Sequence, residues 1–137
     1  KEQYPFMFYS NELDRGLLTI YNLDHNKKHR EILAHKSAVM TIATNAVGDI
    51  VATTSTYGEV IRLWSTMNGL KLCSFEKSRA SVITSLCISR SSKFITACDN
   101  ESNLSVFRIP LESILAFNEP AQEMEMEMTP LEQQTPL

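Results

Sequence analysis

Apolar and polar residues alternate in short runs over residues 39–75, and each of the first three runs is followed by a glycine. Four such runs occupy residues 39–44, 50–54, 60–64 and 70–75. Their β-branched and aromatic residues favour strands, and Gly48, Gly58 and Gly69 permit the positive φ of tight turns. Four strands of this length predict one antiparallel sheet of the kind that forms a β-propeller blade.

The same pattern repeats at a spacing of 44 residues. Val39 corresponds to Ile83, and Val51 corresponds to Ile95. WD-type blades repeat every ~40–45 residues, so residues 1–109 predict the end of one blade, one complete blade and most of a third. A propeller needs about four blades to close. We therefore expect either that further blades exist or that this partial array pairs with something else.

Residues 110–137 differ from the repeats in composition. They carry six Asp and Glu residues and no Lys or Arg, whereas residues 1–109 carry all 13 Lys and Arg. Pro110, followed by apolar residues at spacings of three and four, predicts a short helix. The Met/Glu run beyond it predicts a disordered acidic tail, with a strand over residues 123–128 as the alternative. We expect this tail to be mobile and not to insert into a membrane.

The motifs of enzymes, metal sites and membrane spans are missing from the sequence. Cys73, Cys87 and Cys98 form no C-x-x-C pair, which predicts reduced, buried thiols in a cytosolic protein. No apolar run approaches the ~18 residues of a membrane span. There is also no P-loop, G-x-S-x-G or H-E-x-x-H motif. We expect no catalysis, no metal or other cofactor, no nucleic acid partner and only peripheral contact with membranes.

Three motifs resemble those of the PROPPIN family. They are Ala34-His35-Lys36-Ser37, Ile61-Arg62-Leu63-Trp64 and a four-residue motif that begins at Phe75. The resemblance covers residues 3–109. It implies an all-β fold of WD-type blades, about two and a half of a seven-bladed propeller. It also implies phosphoinositide binding at autophagic and endolysosomal membranes.

The chain departs from the family at positions that face lipid headgroups. Where family members carry F-R-R-G or L-R-R-G, this chain has Phe75-Glu76-Lys77-Ser78. Glu repels phosphate, and Lys binds it as a point charge rather than bidentately as Arg does. A family histidine in the next blade corresponds to Ser105. These replacements predict weakened headgroup binding.

The resemblance implies a phosphoinositide-binding site along one end of the complete blade. Its candidate residues are His35, Lys36, Ser37, Thr53, Ser55, Arg62, Lys77 and Arg79. Structural roles are alternatives for several of them. A histidine at the place of His35 usually forms a hydrogen bond within a WD-type blade, and its two ring nitrogens permit both roles. Arg62 equally fits a solvated or intrablade ion pair, and Lys77 and Arg79 fit a solvated connector.

Two functions from different classes follow. The first is a PROPPIN-like adaptor of autophagy that binds phosphatidylinositol 3-phosphate or 3,5-bisphosphate membranes peripherally and recruits autophagy proteins. Such a protein would be cytoplasmic and recruited to preautophagosomal or endolysosomal membranes. The second is a WD-repeat protein-interaction scaffold without lipid binding.

Overall fold

Three antiparallel sheets follow one another along the chain. The computed structural model describes residues 3–11, 15–77 and 81–112, together with the backbone of 127–128. The first sheet contains β1 (Phe6–Ser10), β2 (Leu17–Asn22) and β3 (Lys27–Leu33). The middle sheet contains β4 (Val39–Thr44), β5 (Ile50–Ser55), β6 (Val60–Ser65) and β7 (Lys71–Glu76). The third sheet contains β8 (Ile83–Ile88), β9 (Phe94–Asp99) and β10 (Leu104–Arg108).

This architecture confirms the predicted all-β fold of blade-like sheets. Within β1–β10, each sheet is an antiparallel meander of strands that are consecutive in sequence, and a further short strand joins the edge of the middle sheet beside β7. The four strands of the middle sheet lie within one or two residues of their predicted bounds. The match follows from the sequence because a period-two alternation only fits a strand that buries one face or both.

Little of the C-terminal segment lies within the described residues. Leu111 and Glu112 are helical, and the rest of the helix predicted after Pro110 lies outside the described residues. β11 (Glu127–Met128) pairs in parallel with β7, with Glu127 opposite Ser74 and Met128 opposite Phe75. These two residues belong to the run for which a strand was the alternative. The predicted disorder of the remaining tail lies outside the described residues.

The middle sheet is covered on both faces. On one face, Val51 and Trp64 pack with Leu18, Ile20 and Ile32 of the first sheet. On the other face, the middle sheet meets the third sheet through two stacked rings. The Phe75 and Phe107 ring centroids are 5.0 Å apart at an interplanar angle of 28°. Offset stacking of this kind adds to the stabilisation from burying both rings.

Alternation along the strands predicts six mostly buried residues, and their burial in the structure is uneven: Ile42, Val51, Leu63, Leu86, Ile95 and Val106. Val51, Leu63 and Ile95 are fully buried. Ile42, Leu86 and Val106, which were predicted to be mostly buried, are half-buried. Ile42 and Leu86 pack at the margins of the two apolar clusters rather than at their centres. Hydrophobic alternation therefore identifies the packed strands better than it ranks burial along them.

The expectation that all three thiols are buried is wrong for two of them. Cys73 is buried, and burial raises the pKa of its thiol to about 12 against a smaller opposing effect of Lys71. Cys87 and Cys98 are exposed. Alternation along β9 turns Ala97 toward the middle sheet, so Cys98 lies on the opposite, outer face of the third sheet.

Replacing Val51 with Ala tests the two-sided packing of the middle sheet. Val51 is 0% exposed, so the substitution should lower the free energy of unfolding by about 1–3 kcal/mol through lost burial and a residual cavity. Leu33→Ala is the matched control, because Leu33 is 73% exposed and its truncation should cost about 0.5 kcal/mol or less. Chemical denaturation measures both. Equal effects of the two substitutions would contradict the assigned core.

Candidate functional site

The loop that enters the middle sheet, residues 34–38, is held tightly against the first sheet. The Gly16 carbonyl accepts the backbone N–H groups of Ala34 at 2.8 Å and His35 at 3.2 Å. A Cβ on Gly16 would lie only 1.9 Å from the His35 carbonyl oxygen, and Gly16 has φ of +89°. Only glycine satisfies both the dihedral angle and this close approach. The backbone of the Ala34-His35-Lys36-Ser37 motif is thereby fixed in place.

His35 belongs to a buried hydrogen-bonded chain that joins this loop to two strands. Its Nε2 lies 2.8 Å from Thr53 Oγ1 on β5, and Trp64 Nε1 on β6 donates to the same oxygen at 3.0 Å. Thr53 is 0% exposed. A hydroxyl can serve both neighbours because it donates once and accepts twice. This geometry matches the alternative in which His35 holds the strands together.

His35 is kept neutral by its surroundings. Burial, followed by the nearby Arg62 guanidinium, lowers the pKa of His35 to about 4, against the opposing effect of its bond with Thr53. Arg62 lies opposite Thr53 in the register of β5 and β6, and its Nη1 donates to the Ala34 carbonyl at 2.7 Å. Arg62 therefore supports the loop, and its half-buried side chain remains near the loop's polar residues.

Three further candidates lie at the same end of the middle sheet. Lys36 is exposed, and Ser37 and Ser55 are half-buried. Ser55 is paired with Val39, and the adjacent Thr56 N–H donates to the Ala38 carbonyl at 3.0 Å. These contacts bring the end of β5 beside the loop. The structure thus places two hydroxyls and an exposed ammonium at one rigid rim.

Lys77 directly follows β7, at the same end of the middle sheet, but its side chain is enclosed. Its ammonium donates to the Ser81 carbonyl at 3.0 Å and to the Ser81 hydroxyl. It also lies 3.6 Å from Asp99 Oδ2, with side-chain exposures of 4% for Lys77 and 2% for Asp99. A solvated connector was the alternative for Lys77, but the ion pair is buried. Its partners Ser81 and Asp99 were not among the predicted site residues.

Asp99 is the acceptor at the centre of this second network. Ser81 Oγ donates to Oδ2 at 2.6 Å, and the Asn103 amide donates to the same oxygen at 3.1 Å. The backbone N–H groups of Glu101 and Asn103 donate to Oδ1 at 2.9 and 2.8 Å. The bond from Ser81, with those from Asn103 and Glu101, holds the pKa of Asp99 well below its usual range despite burial. The sequence signal for this network was Asp99 itself, because an Asp at the start of a turn commonly accepts hydrogen bonds from the backbone N–H groups that follow it.

Two positions at which the chain departs from the family, Glu76 and Ser105, differ in exposure. Glu76 is exposed at the end of β7, opposite Val60. Ser105 is buried in the third sheet. Arg79 lies outside the described residues. Among the residues that the structure describes, no cluster of His, Cys, Asp or Glu could hold a metal ion. Within the same residues, no helix is long and apolar enough to cross a membrane.

The neutral state of His35 predicts a pH dependence of stability. A folded pKa near 4 lies below the unfolded value of about 6.5, so the contribution is complete above pH 6.5 and is lost as pH falls toward 4. The loss reaches at most about 3 kcal/mol. In His35→Gln, the free energy of unfolding should change less between pH 7 and pH 5 than in the wild type. Denaturant titrations at several pH values measure it, and identical profiles would contradict a buried neutral ring.

Comparison with known proteins assigns the chain to a family. The PROPPIN family model matches residues 2–124. Autophagy-related protein 18 of Caenorhabditis elegans is 31% identical over 103 residues, which are 74% of this chain and 25% of that protein. WD repeat domain phosphoinositide-interacting protein 1 of Homo sapiens is 31% identical over 106 residues, which are 76% of this chain and 24% of that protein.

A solved structure is also similar to this chain. The crystal structure of Hsv2 from Kluyveromyces marxianus is 26% identical, with a TM-score of 0.71, over 77% of this chain and 34% of that chain. This chain spans a quarter or less of the length of the two relatives above. Because the family model extends over most of its residues, the chain belongs to the PROPPIN family.

Proposed function

We propose that this chain is part of a phosphoinositide-binding adaptor of autophagy that associates with membranes peripherally and acts by binding rather than catalysis. The single observation that carries the proposal is the rigid rim around the Ala34-His35-Lys36-Ser37 loop, which presents Lys36, Ser37 and Ser55 at one end of the middle sheet. The names of the relatives support it, because they describe proteins related to autophagy and interacting with phosphoinositides.

The rim has the chemistry that a phosphate group needs. A phosphate is bound best by several short hydroxyl or N–H donors and one or two cations that are already fixed in place. Ser37 and Ser55 contribute hydroxyls, Lys36 contributes an exposed ammonium, and Arg62 lies beside the loop through its bond to Ala34. We assign these four residues to headgroup contact.

His35 and Thr53 are assigned a supporting role. Both are buried and hydrogen-bonded to each other, so they hold the loop in place rather than reach a ligand. The lipid we propose is phosphatidylinositol 3-phosphate or 3,5-bisphosphate, on the strength of the family resemblance. By the same resemblance, the protein would be cytoplasmic, move to preautophagosomal or endolysosomal membranes and recruit autophagy proteins there.

A scaffold without lipid binding is the second candidate, and specific residues favour it. Glu76 is exposed where the family carries an arginine, and it would repel an anionic membrane surface. Lys77, the matching position of the second arginine, is engaged in a buried ion pair with Asp99. Arg79 stays a proposed contact of the first candidate, in place of the lost arginine. The two candidate functions differ in whether the rim residues alone are enough to bind a lipid headgroup.

Reversing the charge of Lys36 separates them. In liposome sedimentation with phosphatidylinositol 3-phosphate, Lys36→Glu should weaken binding about tenfold or more, because each cation near an anionic surface contributes about 1 kcal/mol. Lys93→Glu is the matched control, since Lys93 is also exposed but lies in the β8–β9 turn at the opposite end of the sheets. Binding by the wild type that survives Lys36→Glu, or no lipid-specific binding at all, would contradict the first candidate.

A further inference from the structure

The outer edge of β7 pairs with a segment from much later in the chain. β11 lies in parallel beside this edge, with Glu127 opposite Ser74 and Met128 opposite Phe75. An open strand edge accepts an added strand because its unpaired N–H and C=O groups gain main-chain hydrogen bonds. The edge of β7 is therefore occupied by an acidic segment of the chain itself.

The hydrogen-bonding groups of β7 alternate between β6 and this edge. The Lys77 N–H donates to the Glu59 carbonyl at 3.0 Å, so the backbone groups of Lys77 point inward, toward β6. Every second residue of an antiparallel strand points the same way, which directs the groups of Ser74 and Glu76 outward. In a parallel ladder of this register, the Ser74 carbonyl and the Glu76 N–H meet the backbone of Met128. Met128 thus provides both main-chain partners.

The register also sets Glu127 in line with Arg62, which belongs to the proposed headgroup site. Glu127 lies opposite Ser74, and Ser74 lies opposite Arg62. Residues in one such row share a face of the sheet, and two strand spacings put the backbones of Glu127 and Arg62 about 10 Å apart. Ser74, which lies between them, has a short side chain. An acidic residue therefore lies on the face of the sheet that carries the arginine of the rim.

The charges of the two regions favour this pairing. Residues 110–137 carry six acidic residues and no Lys or Arg, whereas all 13 Lys and Arg lie in residues 1–109. Arg62 is half-buried, and charges in such surroundings interact more strongly than fully solvated ones because water screens them less. A phosphate group at the rim would have the same sign of charge as Glu127. The acidic strand and an anionic headgroup therefore oppose each other at Arg62.

We propose that the outer edge of β7 is a strand-addition surface whose occupant is the chain's own Glu127–Met128, and that this strand weakens anion binding at the rim while it is docked. Undocking removes an acidic residue from the row of Arg62. The strand contact rests on the backbone register alone. Its effect on lipid headgroups rests on the proposed function.

A proline at position 128 tests the strand contact in the whole chain. Met128→Pro deletes the N–H that the Ser74 carbonyl accepts and should release the strand. Amide hydrogen exchange followed by NMR should show the Glu76 amide exchanging at least about tenfold faster, because its acceptor is lost. The Phe75 amide points toward β6 and should not change. Gln133→Pro is the matched control, since it adds a proline beyond β11 in the sequence and should leave the exchange of Glu76 unaltered. Equal exchange of Glu76 in the wild type and in Met128→Pro overturns the strand contact.

Vesicle binding tests the effect on the rim. With vesicles that contain phosphatidylinositol 3-phosphate, Glu127→Gln should bind about fivefold more tightly than the wild type, because it keeps the backbone contact and removes one acidic charge. Glu132→Gln removes the same charge from outside the paired strand and should change binding by less than about twofold. Met128→Pro should also bind more tightly than the wild type. Equal gains for Glu127→Gln and Glu132→Gln would overturn the specific effect of the docked strand.

The two measurements separate this proposal from the function on which it rests. Exchange at Glu76 involves no lipid, so faster exchange in Met128→Pro supports the strand contact even where the wild type binds no vesicles. That absence of vesicle binding would overturn the proposed function, and with it the effect on headgroups. Where the wild type binds and Lys36→Glu does not, the lack of a gain in Glu127→Gln overturns the effect on headgroups alone.

Discussion

Burial of the middle sheet on both faces is the constraint on which the rest of the structure depends. Val51 and Trp64 pack against the first sheet, while Leu63 and Phe75 pack toward the third. A sheet sandwiched in this way cannot shift its register by one residue without exchanging its two apolar faces. The positions of the strand ends are therefore fixed, and so are the positions of the loops that enter each sheet. The rim near Ser55 is rigid for this reason.

Each entering loop is attached to its sheet by a buried polar network, and the two networks differ in charge. At the middle sheet the network is neutral, because burial lowers the pKa of His35 to about 4 and the ring shares the Thr53 hydroxyl with Trp64. At the third sheet, Lys77 and Asp99 form an ion pair. Breaking one partner of a buried pair is costly, because the other charge is left uncompensated. In this PROPPIN chain, one motif thus supports an open rim and the other a closed one.

Most of the correct predictions follow from local sequence patterns. The strands follow from an alternation that each segment carries by itself, and the 44-residue repeat relates the sheets. The exposure of Cys87 and Cys98 could not be predicted from the sequence, since it depends on which face of the third sheet packs against the middle sheet. The Lys77–Asp99 pair joins residues 22 positions apart on different elements, so no spacing rule indicates it. The resemblance to the family motif predicted that Lys77 belongs to the lipid site, whereas the tertiary fold pairs Lys77 with Asp99.

Chemical labelling of lysines tests the central claim, that one motif cation faces solvent while the other is sequestered. Reductive methylation of the native protein, followed by mass spectrometry, gives a modification rate for each lysine. Lys77 should react at least about tenfold more slowly than Lys36, because its ammonium becomes accessible only through local opening. The two rates should converge in denaturant. Equal rates in the native protein would contradict the buried ion pair, and with it the contrast between an exposed Lys36 and a sequestered Lys77.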